Sequence, residues 1–127
     1  IGLSEEPQVI GGGATYTADF TKTDGLIEGD YVYEKGVPVG KVADIKLEDE
    51  SVKITLFFFK DSFRMNKRDK LHIRSSGLLG GRLIEIMRDG MGADPLEPGA
   101  HIEISKTKPP FTLDGLIMKA LTALNPK

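Results

Sequence analysis

Apolar side chains recur at every second position through much of this chain. Ala14, Tyr16, Ala18 and Phe20 fall on one face of residues 14–20, with Thr15, Thr17 and Asp19 on the other. That period of two predicts a half-buried strand. The same pattern predicts strands at 31–35, 41–47, 51–59, 71–75, 82–88 and 100–104. Ala43, Ile45 and Leu47 share a side of the third, and 36–40 ("GVPVG") reads as a tight connection before it. In the fourth and longest, Val52, Ile54, Leu56 and Phe58 point one way and Lys53, Thr55, Phe57 and Phe59 the other. In the fifth, Leu71 and Ile73 point inward, His72 and Arg74 outward. Seven short strands with Gly-, Pro- and Asp-rich corners predict an all-β fold, a small seven-stranded β-barrel.

The period changes in the tail. Leu113, Leu116, Ile117, Ala120, Leu121 and Leu124 follow the spacing of one helix face. This predicts a C-terminal amphipathic α-helix after the barrel. Pro109 and Pro110 bar an earlier start, Thr112 suits the N-cap, and Asn125-Pro126 ends it. A helix of about 12 residues is marginal alone in water, so its stripe must bury against the barrel or against copies of itself. The expected layout is a lead-in at 1–13, the barrel at 14–106, and a linker with helix at 107–127.

Composition narrows the chemistry. The 127 residues carry a net charge of -2 and no cysteine. Disulfides, zinc-thiolate sites and a cysteine nucleophile are excluded. The basic footprint of a duplex-binding protein is missing, so no nucleic-acid partner is expected. Residues 60–70 hold Lys60, Arg64, Lys67, Arg68 and Lys70 with Phe63 and Met65 between them. That mixture fits an anion contact or a solvated run diluted by Asp61 and Asp69. His72 and His101 lack metal-ligand spacing, and no metal or cofactor is expected. The acidic turn 48–50 reads as a solvated hairpin tip. Gly11–Gly13 lead into a strand rather than a helix, so they read as a linker and not a phosphate cradle.

Two features break the pattern. Phe57 and Phe59 lie on the face that should be polar; either a loop or helix covers them or another subunit does. The turn "SSGLLGG" (75–81) carries Leu78 and Leu79 at its tip between Gly77 and Gly80. Each leucine left in water forgoes about 1.5–3 kcal/mol. The pair either plugs the barrel's own end or meets something apolar outside it.

Read together, "ADFTKTDGLIEGDYVYEKGVPVGKVADIKL" (18–47) and "IRSSGLLGGRLIEI" (73–86) resemble the mammalian cell entry (MCE) domain family. Within it they are most similar to the phospholipid-trafficking branch of Gram-negative bacteria. Gly25, Leu26, Gly36, Val37, Val39, Gly40, Val42, Ile45 and the run Ile73 to Gly80 carry the match. Leu83 stands where an aromatic is common and Gly81 where a polar residue is. The resemblance implies a ring of barrels, a homohexamer, whose pore is lined by Leu78 and Leu79 and hinged by Gly77 and Gly80. It implies phospholipid as cargo, and membrane permease and ATPase subunits as partners. It implies a periplasmic place beside the bacterial inner membrane, anchored by a transmembrane helix upstream of Ile1. Phe57 and Phe59, with Leu113, Leu116, Ile117, Leu121 and Leu124, are the expected contacts between copies. No enzyme activity is expected. Other readings are a lipid or sterol uptake protein of non-identical subunits and a barrel interaction module without transport. A hydrolase using Ser75 or Ser76 lacks the G-x-S-x-G elbow. An oligonucleotide-binding barrel would have to rely on 60–70.

Overall fold

A computed structural model describes residues 13–77, 80–90, 94–110 and 120–124. The strands are β1 (Ala14–Phe20), β2 (Tyr31–Glu34), β3 (Val37–Leu47), β4 (Val52–Phe58), β5 (Lys70–Ser75), β6 (Arg82–Met87), β7 (His101–Ile102) and β8 (Thr107–Lys108). They form one sheet in the order β7-β1-β4-β3-β2-β6-β5-β8. Each predicted strand is present, and β3 is longer than expected. Lys35 and Gly36 both have positive φ, 53° and 83°. That pair makes a two-residue hairpin turn whose twist matches its strands. Pairing therefore resumes at once, with Val37 opposite Glu34. The stretch 36–40 is thus the turn's end and the start of β3, not a separate connection.

Two short terminal strands close the barrel as one broken strand. β7 runs parallel to β1, with Ile102 opposite Ala18, and β8 runs parallel to β5, with Thr107 opposite Leu71. A 3-10 turn at Ile104–Lys106 joins them. The segment pairs first with β1, jogs, then pairs with β5. The Thr107 hydroxyl shares its one proton between the carbonyls of Asp19 (2.7 Å) and Ile104 (2.9 Å), tying the upper half back to β1. The seventh expected strand, 100–104, is the lower half of this seam.

Side chains fill the interior. Tyr16, Phe20, Val32, Val42, Ile54, Leu56, Phe58, Met65, Leu71, Ile73 and Ile84 are fully buried or nearly so. The Tyr16 hydroxyl donates to the Leu96 carbonyl at 2.6 Å and accepts from the Met65 N–H at 3.2 Å. Phe58 stacks on Phe63 at 4.2 Å between centroids. This is a packed barrel core rather than a ligand cavity.

Strand directions sort the connections. β1, β3 and β5 run one way, and β2, β4 and β6 the other. The β1–β2 loop, the acidic β3–β4 turn and the Gly-Leu-Leu-Gly turn therefore share one end, called here the tip end. The loop 59–69 and the start of β1 lie at the opposite end. There Arg88 makes a two-pronged bond to Glu34 (2.8 and 2.9 Å) and another to Asp69 (2.5 Å). Asp69 is buried and also takes the N–H groups of Asn66 (2.8 Å) and Asp89 (3.2 Å). Much of 60–70 is thus committed to structure: Met65 and Asp69 lie inside, and Arg64 donates to the carbonyls of Asp61 and Phe63.

Candidate functional site

The tip turn grows from the β5–β6 hairpin. Pairing runs from Lys70–Met87 to Ser75–Arg82, and the Ser76 N–H then bonds to the Gly81 carbonyl at 3.1 Å. Leu78 and Leu79 lie outside the described residues. On either side of them, Gly77, Gly80 and Gly81 have φ of 132°, 110° and 84°. L-residues avoid those values, so the glycines allow the turn's path. A Cβ at Gly77 or Gly80 would meet nothing within 4 Å. The requirement there is backbone conformation, not space.

Arg82 fastens the root of this turn. Its Nε donates to the Asp24 carbonyl (2.9 Å) and its Nη1 to the Ser75 hydroxyl (2.9 Å). Asp24 itself takes a positive φ of 48°. One guanidinium thus joins the β1–β2 loop to the β5–β6 tip. Pattern reading passed over Arg82; its signal was a lone arginine directly after the glycine turn. Ile27 (62% exposed) and Leu47 (83%) add apolar surface at the same end.

Around the side of the barrel, the outer face of β2–β3–β4 is more apolar than Phe57 and Phe59 alone suggested. The register sets Tyr31 opposite Lys41, and Lys41 opposite Phe57. Tyr31 and Tyr33 meet edge-to-face at 6.2 Å, as do Phe57 and Phe59. Phe57 is half-buried, because the backbone at Gly13 passes so close that a Cβ there would collide with its ring. Phe59 stays 42% exposed. The tyrosines were legible as the alternate positions of "YVYE", but their neighbourhood needed the register.

Of the expected tail contacts, Leu113, Leu116 and Ile117 lie outside the described residues. Residues 120–124 are helical, and Leu121 and Leu124 are exposed in the single chain.

The two histidines are held in different ways. His72, expected to face outward, is buried, because β8 lies alongside it with Lys108 opposite. Burial is the main cause that lowers its pKa below 6.5, with Arg74 and Lys108 adding repulsion. His101 lies between Thr17 Oγ1 (2.7 Å from Nδ1) and Asp19 (2.9 Å from Nε2). The order hydroxyl, imidazole, carboxylate is that of a nucleophile with its base. Here it spans the β1–β7 pairing, where Thr17 is already His101's strand partner, and it works as a clasp on a two-residue strand. Among the described residues no group of three or more His, Cys, Asp or Glu could hold a metal ion. No described helix is long and apolar enough to cross a membrane.

Known proteins match this arrangement. A family model described as MlaD protein matches residues 12–89, more than half of the chain. One solved chain of the Acinetobacter MlaFEDB complex, in its ATP-bound Vtrans1 conformation, has a similar fold, with a TM-score of 0.74 at 18% identity. The similarity covers 89% of this chain and 83% of that one. The search of curated proteins gave no match.

Proposed function

The chain belongs to the MlaD protein family, and from that premise we propose that it is a lipid-binding pore subunit of a phospholipid transport system. Six copies form a ring, and the tips of the β5–β6 hairpins line its central opening. Leu78 and Leu79 supply the apolar lining, and Gly77 and Gly80 let it bend toward the axis. The filled barrel interior carries this reading. A lipid has no path through one barrel, so an acyl-chain route must run between copies, where the tip can reach it.

The energetics favour such a lining. Drawing an acyl chain of about 15 methylenes through water costs on the order of 12 kcal/mol at about 0.8 per CH2. A collar of leucines removes most of that barrier without chemistry on the cargo, so the subunit acts without catalysis. The sequence has no P-loop, and energy comes from partner ATPase and permease subunits. The barrel stands at the periplasmic face of the inner membrane, anchored by a helix upstream of Ile1. The outer aromatic face around Phe57 and Phe59, and the tail stripe of Leu113, Leu116, Ile117, Leu121 and Leu124, pack copy against copy.

The test replaces both Leu78 and Leu79 with asparagine. Lipid transfer between vesicles is lost while the ring, followed by native mass, persists. Transfer at the original rate by the double variant would overturn the pore assignment.

A further inference from the structure

Arginines in this structure differ in what neutralises them. Arg88 has Glu34 and Asp69, Arg74 has Glu85 at 2.8 Å, and Arg68 has Asp89 at 3.8 Å. Arg82, like Arg64, has no carboxylate partner among the described residues; both of its acceptors, the Asp24 carbonyl and the Ser75 hydroxyl, are neutral. Guanidinium carries about five N–H donors, and two are used in those bonds, so three remain. Ser75 is exposed, and its hydroxyl accepts from Arg82, which leaves its own O–H free to donate.

Three carboxylates of the tip-end loops are already engaged. Asp24 pairs with Lys22 at 3.7 Å, Asp30 takes the Ile27 N–H at 2.9 Å, and Glu48 pairs with Lys53 at 3.7 Å. A half-buried cation with donors to spare, beside a hydroxyl that can still donate, suits a tetrahedral oxyanion, because guanidinium can offer two parallel N–H groups to two phosphate oxygens. Its place matters as much as its chemistry. Arg82 and Ser75 are the last paired residues of the hairpin below the turn. A phosphate held there puts the attached acyl chains at the level of the tip.

We propose that Arg82, with the Ser75 hydroxyl, is the phosphate contact of the tip and receives the phosphodiester of a phospholipid. This rests on the lipid-binding reading above and adds to it the group that separates phospholipid from neutral lipid. The bond to Asp24 keeps the guanidinium at the root of the turn, so a bound headgroup is held by both the β1–β2 loop and the β5–β6 hairpin.

The experiment equilibrates the full chain with vesicles containing equal amounts of phosphatidylglycerol and diacylglycerol of the same chains. Protein is then separated and its bound lipid extracted and quantified. Wild type, Arg82→Gln and Arg82→Lys are compared, each checked for its thermal transition. Gln can still donate to the Asp24 carbonyl but carries no charge; Lys keeps the charge. Wild type enriches phosphatidylglycerol by about 10-fold, equivalent to about 1.4 kcal/mol, which one charge-assisted hydrogen bond can supply. Arg82→Gln loses that preference with diacylglycerol binding unchanged, and Arg82→Lys keeps most of it. An undiminished preference in Arg82→Gln would make Arg82 a clasp between loop and hairpin and overturn the proposal. Wild type that takes up neither lipid would instead overturn the lipid reading of the tip. Release of bound phosphatidylglycerol by millimolar inorganic phosphate would mean a free-anion site and overturn the headgroup assignment.

Discussion

At the scale of single residues, Arg88 is the most consequential charge in the structure. It satisfies a fully buried carboxylate on one side and a partly exposed one on the other, and stands 5.2 Å from the Phe63 ring centroid. Removing it leaves Asp69 buried without a counter-charge. Arg88→Ala should therefore cost about 3–5 kcal/mol, measured by denaturant unfolding. The pH dependence follows from the same group. The hydrogen bonds from Arg88 hold the Glu34 carboxyl below 4.5. A depressed acid stabilises the fold above its unfolded pKa and loses that contribution as pH falls through the folded value. His72 works in the other sense. Burial disfavours its charged form, so the unfolded chain binds the proton first and stability falls as pH drops below 6.5. Unfolding curves should thus weaken in two stages, the first below 6.5 and removed in His72→Gln, the second below 4.5 and removed in Glu34→Gln. A single stage in the wild-type chain would contradict this.

At the scale of elements, Gly40 shows why β3 needs a glycine in mid-strand. A Cβ there would fall 2.5 Å from the Phe57 carbonyl oxygen and 2.8 Å from the Phe58 ring. Backbone cannot step aside as a flexible side chain can, so Gly40→Ala should destabilise by about 1–3 kcal/mol, read as a lowered midpoint in urea. Gly80→Ala meets open space, and its penalty is conformational, about 1–3 kcal/mol for a backbone region that L-residues avoid.

The alternation that revealed β1 and β4 worked because each has one buried face along its whole length. It read β3 less well. The register slips between Val42 and Asp44, which takes Ala43 out to solvent, while Leu47 shares the face of Ile45 and is exposed at the strand's end opposite Val52. A bulge shifts the alternation by one residue, which a strict period of two passes over. The seam was half legible. Residues 100–104 alternate like a strand, but the switch from β1 to β5 depends on a hydroxyl bond from Thr107 that has no sequence signature. The tip was legible through its glycines and leucines. Arg82 was not, since its meaning depends on which carbonyl and which hydroxyl it reaches.

At the scale of the whole molecule, the two ends of the barrel differ in what they carry. β1 starts at the end opposite the tip. β8 runs parallel to β5, toward the tip end. In the ring proposed here, the exposed Leu121 and Leu124 are open to contact with neighbouring copies. Truncation after Pro110 should lower the oligomer's stability to dilution without unfolding the barrel, whose last pairing is at Lys108. An oligomer equally resistant to dilution would show that the stripe packs elsewhere.

In the proposed assembly, copies of this barrel surround a lipid route that no single barrel contains. Native mass spectrometry of the purified chain in gentle detergent tests it directly. The expected result is a species of six times 13.9 kDa with additional mass from bound phospholipid. A monomer free of lipid, at concentrations where the barrel is folded, would contradict it.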